Sequence, residues 1–131
     1  MGFRIQAPAT AFSLDPSGKA HKRVEDPKHL AFIRTLPCLV SGVYGVEAAH
    51  VRYGDPAYGK PMTAKARKPH DWWVVPLSPE AHRAQHSTKE RLYWDWWGID
   101  PLAVAQALYR VSGDTEEALK IIAKARAGGK A

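Results

Sequence analysis

Apolar residues recur with helical spacing after Asp26-Pro27, where a capping carboxylate precedes a proline at the first helical position. The pattern predicts a short helix that ends before Pro37. Its apolar face would consist of Leu30, Phe32, Ile33 and Leu36. Residues 1–26 mix prolines, glycine and scattered charges without periodicity, so we expect an extended N-terminal arm there and assign it no catalytic role.

The C-terminal third of the chain carries repeated helix signals. Ser78-Pro79-Glu80 supplies a hydroxyl cap, a proline and a first-turn acid, which predicts a helix through His82 and His86. Three more helices are expected, over Thr88–Trp97, over Asp100–Val111 and from Asp114 to about Arg126. This part of the chain is therefore expected to be helical.

Short β-prone runs occupy the middle of the chain. Pro37–Val40 and Val46–Tyr53 flank a segment with two glycines, which permit a tight reversal, so we expect these two runs to form a hairpin. Trp72–Leu77 suits a strand or a buried extended segment that leads into the next helix. Helices and a few strands together predict one small α+β domain over residues 27–131.

A long basic loop is predicted from Gly54 to Pro69. This segment has no hydrophobic period and is interrupted by glycines and prolines. Arg52 lies just before this segment, and the basic residues within it are Lys60, Lys65, Arg67 and Lys68. Loops longer than about 12–15 residues in a compact domain are usually functional or disordered, so its length is a mild indication of function.

Composition sets further bounds. A chain of 131 residues with 45% hydrophobic and 24% charged residues can build one core and is unlike a disordered protein. No apolar run approaches the roughly 20 residues of a membrane span, and Met1–Thr10 lacks the apolar centre of a signal peptide, so we expect a cytoplasmic protein. Cys38 is the single cysteine, which excludes an intrachain disulfide and an all-cysteine zinc site.

The net charge bears on the class of partner. Lys and Arg number 19 against 13 Asp and Glu, which gives +6 at pH 7. This balance favours nucleic acid or another polyanion as partner, although many unrelated basic proteins share it.

Three of the six histidines, His50, His82 and His86, stand where local structure would make them act together. His82 and His86 are four positions apart, so on a helix they project from one face with Cβ atoms about 5–6 Å apart, and two such imidazoles can close on one metal ion. Pairs of this kind also arise by chance on solvated faces, so the surrounding motifs must show whether this pair binds a metal ion.

Four motifs follow one another in this part of the chain: Ala49-His50-Val51-Arg52, Lys68-Pro69-His70-Asp71, Val75-Pro76-Leu77 and His82-Arg83-Ala84-Gln85-His86. Their order resembles the HNH nucleases, and more narrowly the phage recombination-enhancement (Ref-type) branch. The resemblance implies a ββα-metal core, in which two strands and a helix hold one divalent ion. The residue pattern adds the long basic loop and a helical C-terminal extension.

The resemblance also implies roles for single residues. His50 matches the general base, which suits an imidazole that titrates near neutral pH. His82 and His86 match the metal ligands on the helix. Asp71 lies near the central polar position of the family, where it would either orient the base or bind the metal. The ion would be zinc, magnesium or manganese.

The activity implied by the resemblance is metal-dependent endonucleolytic cleavage of DNA, double- or single-stranded, linked to phage or bacterial recombination. A RecA-type recombinase filament is implied as a further partner. No base-reading motif is present in the sequence, so weak sequence preference is expected. The residues expected to contact phosphates are Arg52, Lys60, Lys65, Arg67 and Lys68.

Two departures from the family pattern keep an alternative open. Ala49 stands where many HNH proteins carry a metal ligand, and Cys38 is all that is present of two cysteine pairs that form a structural zinc knuckle in many relatives. The alternative is a catalytically inactive DNA-binding or recombination-accessory protein with the same fold.

The five tryptophans are candidates for stacking on bases. Tyr93, Trp96 and Trp97 sit at helical spacing with Leu92, and a small domain without a zinc knuckle needs large apolar groups. We therefore expect the tryptophans to serve core or helix packing, and Cys38 to be buried.

Overall fold

The fold is described from a computed structural model, in residues 23–60, 69–87 and 89–128. Within these ranges the elements in chain order are α1 (Pro27–Ile33), β1 (Glu47–His50), a 3₁₀ turn (Pro56–Tyr58), β2 (Val74–Leu77), α2 (Pro79–Ser87), α3 (Glu90–Trp97), α4 (Pro101–Arg110) and α5 (Thr115–Gly128). This combination of helices and a two-stranded sheet confirms the predicted α+β class. No helix in the described ranges is long and apolar enough to span a bilayer.

The two strands pair antiparallel across the long loop that separates them. Glu47 lies opposite Leu77, and His50 lies opposite Val74. Every residue of β2 is buried, because α1, α2 and α4 pack against it. The pairing brings the end of β1, with His50, beside the start of β2 and the residues that precede it.

The predicted hairpin between Pro37–Val40 and Val46–Tyr53 is wrong. The first run forms a turn, in which the Cys38 amide donates to the Val43 carbonyl at 2.8 Å. The second run contributes β1, whose partner is β2. Pairing with β1 satisfies the backbone of β2, whose residues are all buried, and this requirement outweighs the closeness of the two runs in sequence.

Helix termini follow the predicted signals. The Asp26 side chain caps α1 by accepting from the His29 amide at 3.1 Å, and Asp100 caps α4 through two backbone amides. Gly98 ends α3 with φ at 68°, a left-handed conformation that favours glycine. Thr88, the predicted cap of α3, lies outside the described residues.

The core confirms part of the packing prediction. Trp94 is 1% exposed, and Cys38 is buried, with its Sγ accepting from the Ser78 amide at 3.2 Å. The prediction is wrong for Trp96, which is 63% exposed, and Leu92, one turn before it, is 61% exposed. Both residues lie on the face of α3 that turns away from the core.

Candidate active site

His50 and Asp71 form a hydrogen-bonded pair where β1 ends and the approach to β2 begins. Nε2 of His50 lies 2.9 Å from Oδ1 of Asp71, and Asp71 is 1% exposed. Assigned from this contact, Nε2 of a neutral ring carries the proton and Nδ1 is its acceptor nitrogen. A buried carboxylate thus fixes both the orientation and the tautomer of the imidazole.

Asp71 is also held by the residues that precede α1. Its Oδ1 accepts a second hydrogen bond from Nη2 of Arg23 at 3.0 Å, and its Oδ2 accepts from the Asp26 amide at 2.8 Å. Burial alone would raise the pKa of the Asp71 carboxyl, but hydrogen bonds from Asp26 and His50 and the charge of Arg23 hold this pKa below its usual range. The carboxylate is therefore ionised at neutral pH.

These contacts favour one of the two roles left open for Asp71. Both carboxylate oxygens accept hydrogen bonds, from His50 and from the residues before α1. Within the described ranges, no three His, Cys, Asp or Glu side chains form a group that could hold a metal ion. The expected ligand set of His82, His86 and Asp71 is thus not brought together, and Asp71 is placed to orient His50.

His82 and His86 face each other on α2 as their spacing predicts. Their Nε2 atoms are 3.1 Å apart and their ring centroids 4.8 Å apart. Burial, the neighbouring His82 and the charge of Arg52 lower the pKa of His86 against the opposing charge of Glu90. The neutral form, which binds metals, is therefore favoured for His86.

Glu47 on β1 supports this histidine pair. Its Oε1 accepts from Nδ1 of His82 at 2.7 Å, which assigns the proton of His82 to Nδ1 and leaves the Nε2 lone pair directed at His86. A carboxylate on the outer nitrogen of an imidazole is the usual support of a histidine metal ligand. No short sequence pattern indicates a role for Glu47, because its approach to α2 depends on the strand pairing.

Gln85 joins the two parts of the site. It is 1% exposed, and its Nε2 donates to the His50 carbonyl at 3.1 Å and to Oε2 of Glu90 at 2.7 Å. Glu90 in turn accepts from the Arg52 amide at 2.9 Å and from Trp94 Nε1 at 3.0 Å. The helix that carries the histidine pair is thereby fixed to the strand end that carries His50. A polar residue on the core-facing side of a helix is the one signal that would have indicated Gln85.

The donor chemistry of the pair fits a divalent ion. Two imidazole nitrogens that face each other suit zinc and similar divalent transition-metal ions. Ala49 is fully buried and offers no donor side chain, so the protein ligands identified in the described residues number two. The other coordination positions would be left to water or to substrate oxygens.

The predicted phosphate-binding residues differ in their placement. Arg52 is exposed just after β1. Lys60 is 2% exposed, with Nζ 6.0 Å from the centroid of the Trp73 ring, so its predicted phosphate contact disagrees with its burial in this structure. Three of the predicted residues lie outside the described part of the chain: Lys65, Arg67 and Lys68.

His70 and His29, outside the predicted set, have structural contacts. Nδ1 of His70 accepts from the Val24 amide at 2.7 Å, and its ring stacks on Trp72. His29 is buried, with Nδ1 2.8 Å from Oγ of Ser112. Neither contact connects these residues to the facing pair on α2.

Comparison with known proteins gives one family. A family model described as a protein of unknown function (DUF968) matches residues 6–111. Neither the curated proteins nor the solved structures yield a match. The matched segment contains both strands, α2 and all of the site residues described above.

Proposed function

Because the chain belongs to the DUF968 family, whose function is unknown, we propose its function from the site: a metal-dependent HNH-type endonuclease that hydrolyses phosphodiester bonds in DNA. The observation that carries the proposal is the buried Asp71–His50 pair, tied by Gln85 to the helix with the facing imidazoles of His82 and His86. An oriented imidazole and a metal-binding pair on adjoining elements are what this hydrolysis requires.

His50 acts as the general base. Its Nδ1 takes a proton from the attacking water, while Nε2 donates to Asp71. The ionised Asp71 stabilises the imidazolium that forms and prevents the ring from rotating away from the water. Asp71 needs only to hold the His50 ring in this role. Its carboxylate, which already accepts hydrogen bonds from several donors, suits that role.

His82 and His86 would hold the divalent ion, zinc, manganese or magnesium, through their Nε2 atoms. When bound, the ion neutralises charge on the phosphoryl oxygens and stabilises the leaving 3′-oxygen. Glu47 keeps the proton of His82 on Nδ1, so that the lone pair on Nε2 stays available. The order strand, loop, strand and helix supports the ββα-metal core that the resemblance to HNH nucleases implies.

DNA is the proposed substrate and recombination the proposed setting. The net charge of +6 favours a polyanion as partner. Arg52, two residues after His50 in the chain, is exposed. Lys65, Arg67 and Lys68 remain proposed phosphate contacts, whereas Lys60 does not, because it is buried. A cytoplasmic location and a RecA-type filament as partner belong to the same proposal.

A plasmid-nicking assay tests the activity. The protein is mixed with supercoiled plasmid and Mg²⁺, Mn²⁺ or Zn²⁺, and His50→Ala, His82→Ala and His86→Ala are compared with His21→Ala, a histidine substitution to which no role is assigned. The parent and His21→Ala should nick the plasmid, and His50→Ala should be slower by about 10²–10⁴-fold, the usual contribution of a general base. Nicking by His50→Ala at the parental rate would overturn the proposal.

The inactive DNA-binding alternative is favoured by one observation, the buried Ala49 side chain at a position where many HNH proteins bind metal. A filter-binding measurement on the same samples separates the two functions. Equal DNA retention by the parent and His50→Ala, with nicking by neither in any of the three metals, would establish the accessory function.

A further inference from the structure

We propose that Arg23, in the arm that precedes α1, is a positioning residue for the His50–Asp71 pair and holds the carboxylate in place between itself and the imidazole. The contacts of Arg23 with Asp71 and the Pro69 carbonyl are observed in the structure and do not depend on the proposed function. Their consequence for cleavage rests on the proposed function.

The guanidinium of Arg23 has three partners. Nη2 donates to Oδ1 of Asp71 at 3.0 Å, Nε donates to the Pro69 carbonyl at 3.2 Å, and Nη1 donates to Oε2 of Glu25 at 2.8 Å. His50 contacts the same Oδ1 at 2.9 Å. Arg23 and His50 therefore share one oxygen of a carboxylate that is almost fully buried, and the position of either affects the other.

The backbone around Arg23 strengthens this contact. The Asp71 amide donates to the Val24 carbonyl at 3.0 Å, the Val24 amide donates to His70 Nδ1 at 2.7 Å, and the Asp26 amide donates to Asp71 Oδ2 at 2.8 Å. Residues 23–26 thus lie along residues 69–71 as a strap. Two donors to Asp71, the Arg23 guanidinium and the Asp26 amide, come from this strap.

The charge of Arg23 has a definite effect on His50. A cation on the shared oxygen opposes the protonation of the imidazole, so its removal should raise the pKa of His50. Lysine keeps the charge but lacks the planar fork that reaches several acceptors at once. The substitution keeps the other charged or titratable residues around the pair, although Glu25 loses its ion pair with Arg23. These residues are Glu25, Asp26 and His70 beside Arg23 and Asp71, His29 on α1, Glu47 on β1, Arg52 after it, His82 and His86 on α2, and Glu90 on α3.

The test is an NMR titration of the histidine rings in the full chain, for the parent, Arg23→Gln, Arg23→Lys and the control Arg34→Gln, whose side chain is exposed at the end of α1. Arg23→Gln should raise the pKa of His50 by roughly one pH unit. Arg23→Lys should raise it by less, and Arg34→Gln should leave it unchanged. An unchanged His50 titration in the Arg23 variants would overturn the proposal.

A second variant and a second measurement also test the role of Arg23. If Arg23→Gln does not fold, the NMR titration of Arg23→Lys gives the same test. In the nicking assay, Arg23→Gln should lose most activity on the acid side of its pH profile and recover toward alkaline pH, whereas a merely structural role would lower the rate equally at every pH. If the parent fails to nick at any pH, the proposed function fails, and the NMR titration still decides the role of Arg23.

Discussion

Gln85 donates from its side-chain Nε2 to the backbone carbonyl of His50 at 3.1 Å. The contact joins α2 to the end of β1 from a side chain that is almost fully buried. Gln85 lies on α2 between His82 and His86, so one inward-facing residue links the two halves of the candidate active site.

Removal of the Gln85 amide should loosen this link. Gln85→Met keeps the length of the side chain and leaves the His50 carbonyl without this donor and Glu90 with one donor fewer. We expect the free energy of unfolding to fall by about 1–3 kcal/mol, the cost of an unsatisfied buried polar group, as measured by urea denaturation. The matched control is Gln106→Met, where the amide of a half-buried side chain donates to the Tyr58 carbonyl at 3.3 Å, and it should cost less. Equal losses in both variants would contradict the link.

Glu47→Gln should weaken metal binding without removing a proposed ligand. The amide cannot hold the Nδ1 proton of His82 as the carboxylate does, so the Nε2 lone pair is no longer fixed. Supporting carboxylates of this kind contribute about 10–100-fold to metal affinity. Titration calorimetry with Zn²⁺ or Mn²⁺ measures this factor, and Glu116→Gln on the first turn of α5 is the control. Parental affinity in Glu47→Gln would contradict the assigned support.

Asp71→Asn should change how stability depends on pH. The pKa of Asp71 is lowered in the folded state, so the folded form binds its proton less readily than the unfolded form, whose value is about 3.9. The stabilisation is therefore present above that value and is lost as the pH falls through the folded-state pKa. The variant should lose stability at neutral pH and show a shallower decline under acid, measured by denaturant unfolding at several pH values. Exposed Asp95→Asn should keep the parental slope, and a parental slope in Asp71→Asn would refute this account of the carboxyl.

Lys60→Met should stabilise the fold. Lys60 is buried, and its Nζ has no hydrogen-bond partner among the described residues. Burial lowers its pKa against the opposing charge of Glu90, so the parent should gain stability as the pH rises from this lowered pKa toward the unfolded value. Methionine keeps the apolar stem, and we expect the free energy of unfolding at pH 7 to rise by about 1–2 kcal/mol. Exposed Lys28→Met should show no comparable gain, and a loss of stability in Lys60→Met would show that the ammonium has a stabilising partner.

Local features of the fold and site could be predicted from the sequence. The spacing of His82 and His86 places both rings on one face of α2, and their Nε2 atoms lie 3.1 Å apart. The caps at Asp26 and Asp100 likewise depend on neighbours within three residues. Such features need only the helix geometry, which short sequence patterns define.

Non-local contacts could not be predicted from the residues alone. His50 and Asp71 are 21 positions apart and Arg23 and Asp71 are 48 apart, and no periodicity connects them. The resemblance to HNH nucleases indicated His50 and Asp71 but left the role of Asp71 open. Short-range patterns predict a local hairpin in place of the observed pairing of β1 with β2, and the role of Glu47 depends on that pairing.

The most direct test of the central claim is the anomalous difference density of a crystal of the parent grown with Mn²⁺ or Zn²⁺. We expect one strong peak bound by Nε2 of both His82 and His86, at about 2.0–2.1 Å for zinc, with Nδ1 of His50 facing the same space and Asp71 still on Nε2 of His50. Absence of a peak at this pair under saturating metal, or a His50 ring directed away from the bound ion, would contradict the proposed hydrolytic site.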